Sequence, residues 1–144
     1  MTALIESLEK KIAVLDEICE KDKEQEALLK DEGFSFEAFD KIVEEKSVLI
    51  FKLNKLDEGF DSVYAEVKEE LNKNLVLYKK EIERMQSLIS DITDRSTKIQ
   101  AEEARNKALL EGIFKNERKK IKEQRSTVNA VNSYTQAMKF GDRK

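Results

Sequence analysis

The residues of this chain that could do chemistry are few. One cysteine, Cys19, carries the only thiol, and no histidine is present. Without imidazole there is no Ser-His or Cys-His nucleophile, and no Glu-x-x-His pair of the kind that holds iron in helical bundles. Adjacent carboxylates occur at Glu44-Glu45 and Glu102-Glu103, but in a chain with 30 acidic residues such pairs are expected on solvated helix faces. No glycine-rich phosphate loop appears. The expectation is a protein that is not an enzyme and has no cofactor and no metal. Cys19 lies on an apolar stripe with only Lys23 as a basic neighbour within one turn, so it reads as a small buried hydrophobe and not as a reactive thiol.

Residues 113–125 are basic with sparse hydrophobes. Clustered Lys and Arg can release counterions from nucleic acid. Yet no helix-turn-helix, zinc spacing or aromatic-basic interleaving accompanies them, and the first 104 residues carry 26 acids against 16 bases. A solvated helix face beside acidic neighbours is the better reading, with no nucleic-acid partner.

The elements that must position these groups are helices. Ala, Glu, Leu, Lys and Arg make up half of the 144 residues, proline is absent and glycine occurs four times; with helical periodicity this is the composition of long helices and coiled coils. In the first segment Ile5, Leu8, Ile12, Leu15 and Cys19 follow steps of three and four, and the stripe fades from Glu20 to Glu26, which predicts a loosely held last third. Gly33 is expected to end this helix in a left-handed conformation, with Ser35 capping the next. Phe36, Phe39, Ile42, Val43, Leu49, Ile50, Leu53 and Leu56 continue at helical spacing. Hydrophobes wrap round the helix from Val48 to Phe51, predicting burial against two neighbours and a central place for the second helix. Gly59 marks the expected second turn, with Asp61 or Ser62 capping a third helix that runs to about Arg125.

That third helix has the seam Tyr64, Val67, Leu71, Leu75, Tyr78, Ile82, Met85, Ile89 and Ile92. Unbroken, it would span on the order of 95 Å. Residues 93–97 are weak helix formers and could kink or fold back; Ile92 and Ile99, one heptad apart, favour continuity. The fold class is therefore all-α: an elongated antiparallel three-helix bundle over residues 1–125 with a very long third helix, followed by a short amphipathic tail over 126–144. No apolar run approaches the roughly 20 residues of a membrane span, and no signal peptide is evident. A cytoplasmic protein without membrane insertion is expected.

The stretch Glu44-Glu45-Lys46-Ser47-Val48-Leu49-Ile50, then Lys55-Leu56-Asp57-Glu58-Gly59-Phe60-Asp61, and the Tyr64-x-x-Val67 start of a long amphipathic run resemble flagellar export chaperones of the FlgN type, as does a tail with Tyr134, Met138 and Phe140-Gly141. The resemblance implies a chaperone for type III secretion that binds the amphipathic C-terminal helices of hook-associated proteins and prevents their premature self-association, with the flagellar export apparatus as a second partner. An asparagine- and glycine-containing C-terminal helix is associated with client contact in the family; Asn106 and Gly112 stand where it would fall. Partner contact is accordingly expected from Asn106, Leu109, Leu110, Ile113, Phe114 and Ile121, and from Val131, Tyr134 and Met138 of the tail. FliT-type chaperones of the filament cap protein share this architecture and are the alternative, as is a structural coiled coil that forms a homodimer through the polar-interrupted half of the third helix.

Overall fold

The computed structural model describes the backbone of residues 1–131 and the side chains of 1–119 and 122. Three helices account for nearly all of it: α1 (Thr2–Lys30), α2 (Phe36–Lys73) and α3 (Lys79–Val131). The all-α expectation and the long third helix hold. The chain divides into two compact units, Met1–Asn106 and Lys107–Lys144. Within the first, α1, α2 and residues 79–106 of α3 form an antiparallel three-helix bundle.

The directions follow from cross-helix contacts. Ser7 Oγ donates to the Leu56 carbonyl at 3.3 Å and Lys11 pairs with Asp57 at 2.7 Å, whereas Lys21, further along α1, pairs with Glu45 at 2.5 Å, earlier in α2, so the two helices are antiparallel. Asp16 pairs with Arg95, and Asp22 is bonded by Asn106, so α1 and α3 run in parallel. Leu4, Leu8 and Leu15 of α1, Leu71 of α2, and Met85, Leu88 and Ile92 of α3 make the apolar core.

Helix starts and stops follow local chemistry. Ser35, in extended backbone, accepts a hydrogen bond from the Ala38 N–H, satisfying one orphan donor of the first turn. The end of α1 differs from expectation. No described glycine has a positive φ; α1 stops at Asp31, which is extended, and whose carboxylate accepts the Gly33 N–H at 3.0 Å. An aspartate turn replaces the left-handed glycine cap.

The second turn is not at Gly59. Helix α2 runs through it to Lys73, and the reversal lies at residues 74–78. Asn74 makes it: its N–H bonds the Leu71 carbonyl, its side-chain amide bonds the Glu70 carbonyl at 2.9 Å, and its own carbonyl accepts the Tyr78 N–H. The predicted Tyr64-to-Ile92 seam is therefore shared by two helices. Tyr64, Ile89 and Leu75 on it are exposed, whereas Leu88, off it, is buried. Continuity through 93–97 holds, because α3 is unbroken there; Thr93 and Thr97 donate their hydroxyls to the carbonyls four residues earlier, within the helix itself.

Gly59 is exposed in mid-helix, and a Cβ there would meet nothing within 4 Å. Substituting Gly59→Ala should therefore raise the unfolding free energy by about 0.5–1 kcal/mol, the helix-propensity difference, in urea denaturation at constant m; a loss of stability would contradict a continuous α2.

Candidate functional site

The last third of α1 is held, contrary to expectation, by polar groups. After Cys19 the seam positions of α1 are Asp22 and Gln25, both buried, before Leu29 closes it. Facing them are Lys46 of α2 and Glu102, Glu103 and Asn106 of α3, all buried except Glu103, which is half-buried. The Lys46 ammonium donates to Gln25 Oε1 at 3.0 Å, lies 2.7 Å from Asp22 Oδ1 and pairs with the Glu103 carboxylate. The Asn106 amide donates to the Asp22 carbonyl at 3.0 Å. One cation thus ties all three helices together.

Asp22 has the most constrained environment in the bundle. Its side chain is fully buried and ion-paired with Lys46, and neither carboxylate oxygen has a hydrogen-bond partner. Burial, reinforced by the adjacent Glu103 carboxylate and opposed by Lys46, raises its pKa from 3.8 to about 6. Glu103 is pushed up by burial too, but its interactions with Asp22 and Lys46 outweigh this and hold it below the usual range. The two neighbouring carboxyls are shifted in opposite directions, so on acidification Asp22 takes up a proton before Glu103 does. Cys19 is buried and free, and burial raises its thiol pKa; the small-hydrophobe reading holds.

No described group of His, Cys, Asp and Glu could hold a metal ion. Among its exposed residues the molecule also presents apolar groups. On α2, Val48 is 57 % and Phe51 61 % exposed, with Val43 and Ile50 close behind; Lys55 Nζ stands 5.4 Å from the Phe51 ring. The expected burial of this stretch against two neighbours is overturned: only the Ile42, Lys46 and Leu49 edge faces the bundle. The turn exposes Leu75, Val76 and Leu77. In the second unit, no described side chain from Lys107 to Lys119 is buried: Leu109, Leu110 and Ile113 are half-buried and Phe114 is exposed.

The residues expected to contact a partner thus fall into three groups. Leu109, Leu110, Ile113 and Phe114 share one arc of α3, spanning about 140° at 100° per residue. Asn106 lies on the same arc one turn earlier, but its amide is engaged with α1. Ile121 and Val131 belong to α3, but their side chains, and Tyr134 and Met138 altogether, lie outside the described residues. The buried Asp22–Lys46–Glu103 cluster escaped sequence reasoning, although charged residues at the heptad positions of all three helices were its visible signal.

The family model described as FlgN protein matches residues 1–139. The chain belongs to the FlgN family. No curated protein and no solved structure matches it. FlgN proteins are flagellar export chaperones and not an enzyme family, so membership supplies a general role as a flagellar export chaperone. Among the described residues no helix is long and apolar enough to cross a membrane.

The upward shift of Asp22 has a consequence for stability whose sign can be checked. Because the folded pKa of Asp22 lies above its unfolded value, its contribution to stability is full below about 3.8 and disappears as pH rises through about 6. Glu26, Glu45 and Glu103 are shifted downward, the opposite direction, and no histidine interferes. The unfolding free energy should be about 1 kcal/mol greater at pH 5 than at pH 7, and Asp22→Asn should flatten that difference in paired denaturation curves.

Proposed function

We propose that this FlgN-family chain holds the amphipathic C-terminal helices of hook-associated flagellar proteins before export and keeps them from associating with one another prematurely. The observation that carries the reading is the arc Leu109, Leu110, Ile113 and Phe114, which lies in a segment where no described side chain is buried. At i, i+1, i+4 and i+5 these side chains share one helix face, a surface on which an incoming amphipathic helix can lay its own anchors at i, i+3, i+4 and i+7. Ile121, on the same helix, and residues 126–144, with Val131, Tyr134 and Met138, extend the docking segment in this reading. Asn106 takes a positioning part, pinning α3 to α1 one turn before the arc begins. The export apparatus is the destination of the loaded complex.

Each buried anchor contributes roughly 1.5–3 kcal/mol, and the loss of translational and side-chain freedom on association is of comparable total size. A dissociation constant on the order of micromolar or somewhat tighter follows. That range suits a chaperone, since the client must be released undamaged.

Titrating the full chain with C-terminal segments of hook-associated proteins and of the filament cap protein, followed calorimetrically, tests this. The hook-associated segments should bind. Leu110→Glu combined with Ile113→Glu should weaken them at least tenfold, as for anchor residues, with the thermal midpoint of the bundle unchanged. Removing residues 126–144 should weaken them further. Preference for the cap-protein segment would reassign the client, and absence of binding to every segment at low salt would sink the proposal.

A further inference from the structure

Helix α2 carries two seams in steps of three and four, offset by one residue. The inner one, Ile42, Lys46, Leu49 and Leu53, faces the bundle. The outer one, Val43, Ser47, Ile50 and Asn54, lies about 100° round the helix. It is exposed throughout, and Phe51, also exposed, borders it. Spacing of this kind is what a helix offers to another helix lying along it. Ser47, at the centre, is small, and its hydroxyl donates to the Val43 carbonyl at 3.0 Å; a second helix can lie close over it without stranding a donor.

Charge divides about the same residue. Residues 36–45 carry Glu37, Asp40, Glu44 and Glu45 against Lys41, whereas residues 48–56 carry Lys52 and Lys55 and no carboxylate; Asp57 and Glu58 follow. Glu45 is taken by Lys21 and Asp57 by Lys11. Lys55 stands 3.5 Å from Glu58, a contact between exposed side chains that binds neither firmly. Among the described residues Glu37, Asp40 and Glu44 enter no ion pair, and all three line one surface depression.

We propose that this outer face of α2 is an interface with a second copy of the chain, the two α2 helices lying antiparallel across a two-fold axis at Ser47. Residues equally distant from Ser47 then meet. Val43 of each copy packs on Ile50 and Phe51 of the other, and Lys55 comes beside Asp40, with Glu37 and Glu44 within about a turn of it along the same edge. A face whose two halves complement each other complements itself when reversed, as an isologous contact requires. Parallel helices would instead set Glu44 against Glu44 and Lys55 against Lys55. The few apolar side chains on each copy place the contact below the roughly 800 Å² per partner of a standard interface, so the dimer is weak and reversible. It is separate from the α3 arc and stands whether or not that arc holds a client.

Sedimentation velocity of the full chain over a range of concentrations tests the proposal. A monomer–dimer equilibrium is expected, weakened at least tenfold by Ile50→Glu with Phe51→Glu; both side chains are exposed, so helix content should not change. Lys55→Glu should weaken it severalfold, and Asp40→Lys in the same chain should restore it, because the two-fold axis sets the two new charges beside each other. A chain that is monomeric at every concentration would overturn the proposal. So would a dimer indifferent to the α2 variants and lost on Leu110→Glu, a Lys55→Glu defect that Asp40→Lys fails to repair, or α2 variants that release hook-associated segments while sedimenting unchanged.

Discussion

The bundle depends on a single buried cation. Lys46 occupies a seam position that a leucine would fill more favourably, and it is met there by Asp22, Gln25 and Glu103. Desolvating an ammonium and its carboxylates offsets most of their attraction, so such a cluster adds little net stability over an apolar layer. Its effect lies in what it forbids. Heptad seams are nearly self-similar under a shift of seven residues, and helices of Leu and Ile alone could slide. Moved by one heptad along α1, Lys46 would face Leu15 and Ile18 or Leu29; along α3, Glu103 would give way to Ser96 or Leu110. An uncompensated buried charge costs several kcal/mol, enough to exclude either register.

Once that register is set, helix lengths follow. With Lys46 level with Asp22 and Gln25 in an antiparallel pair, about 25 further residues of α2 are needed to reach the start of α1. Leu71 is where that count ends, and Met1, Thr2, Val67, Leu71 and Tyr78 indeed line one small cavity. A turn at Gly59 would have ended α2 beside Ser7, whose partner is Leu56, and left the first turn of α1, with Leu4, without an α2 partner. Burying this leucine favours an α2 that tolerates a mid-helix glycine costing about 1 kcal/mol, because the leucine is worth more than that.

This explains which parts of the fold were legible in sequence. Helical class, the cap at Ser35, continuity through residues 93–97 and the burial of Cys19 were readable, because each is governed by local propensity or by a periodic stripe. The second reversal was not. Leu75 and Tyr78 sit in phase with Leu71 and Ile82, so the apolar period runs through a turn whose only local mark is Asn74, while the conspicuous Gly59 turns nothing. The last third of α1 was misread for a related reason: Asp22 and Gln25 look like solvent-facing residues until Lys46, Glu103 and Asn106, distant in sequence, arrive opposite them. On α3 Leu110 and Ile113 could be read as continuing the apolar phase of the seam. The engagement of Asn106 by α1 could not, since that depends on the register.

The distribution of polarity is then the reverse of what stability alone would select. Charge lies in the seam, and Val48, Ile50, Phe51 and Leu75–Leu77 lie outside it. Exchanging the two sets would deepen the core and remove the exposed hydrocarbon, but it would also free the helices to shift and leave a uniformly polar surface. A protein that must present apolar groups in water needs a frame that those groups cannot recruit into alternative packings. A seam locked by a buried cation supplies one, because any rearrangement that buries the outer hydrophobes by rotating α2 must first carry Lys46 away from its carboxylates. The same constraint that lowers the stability of the bundle is what allows its outer faces to remain available to a partner.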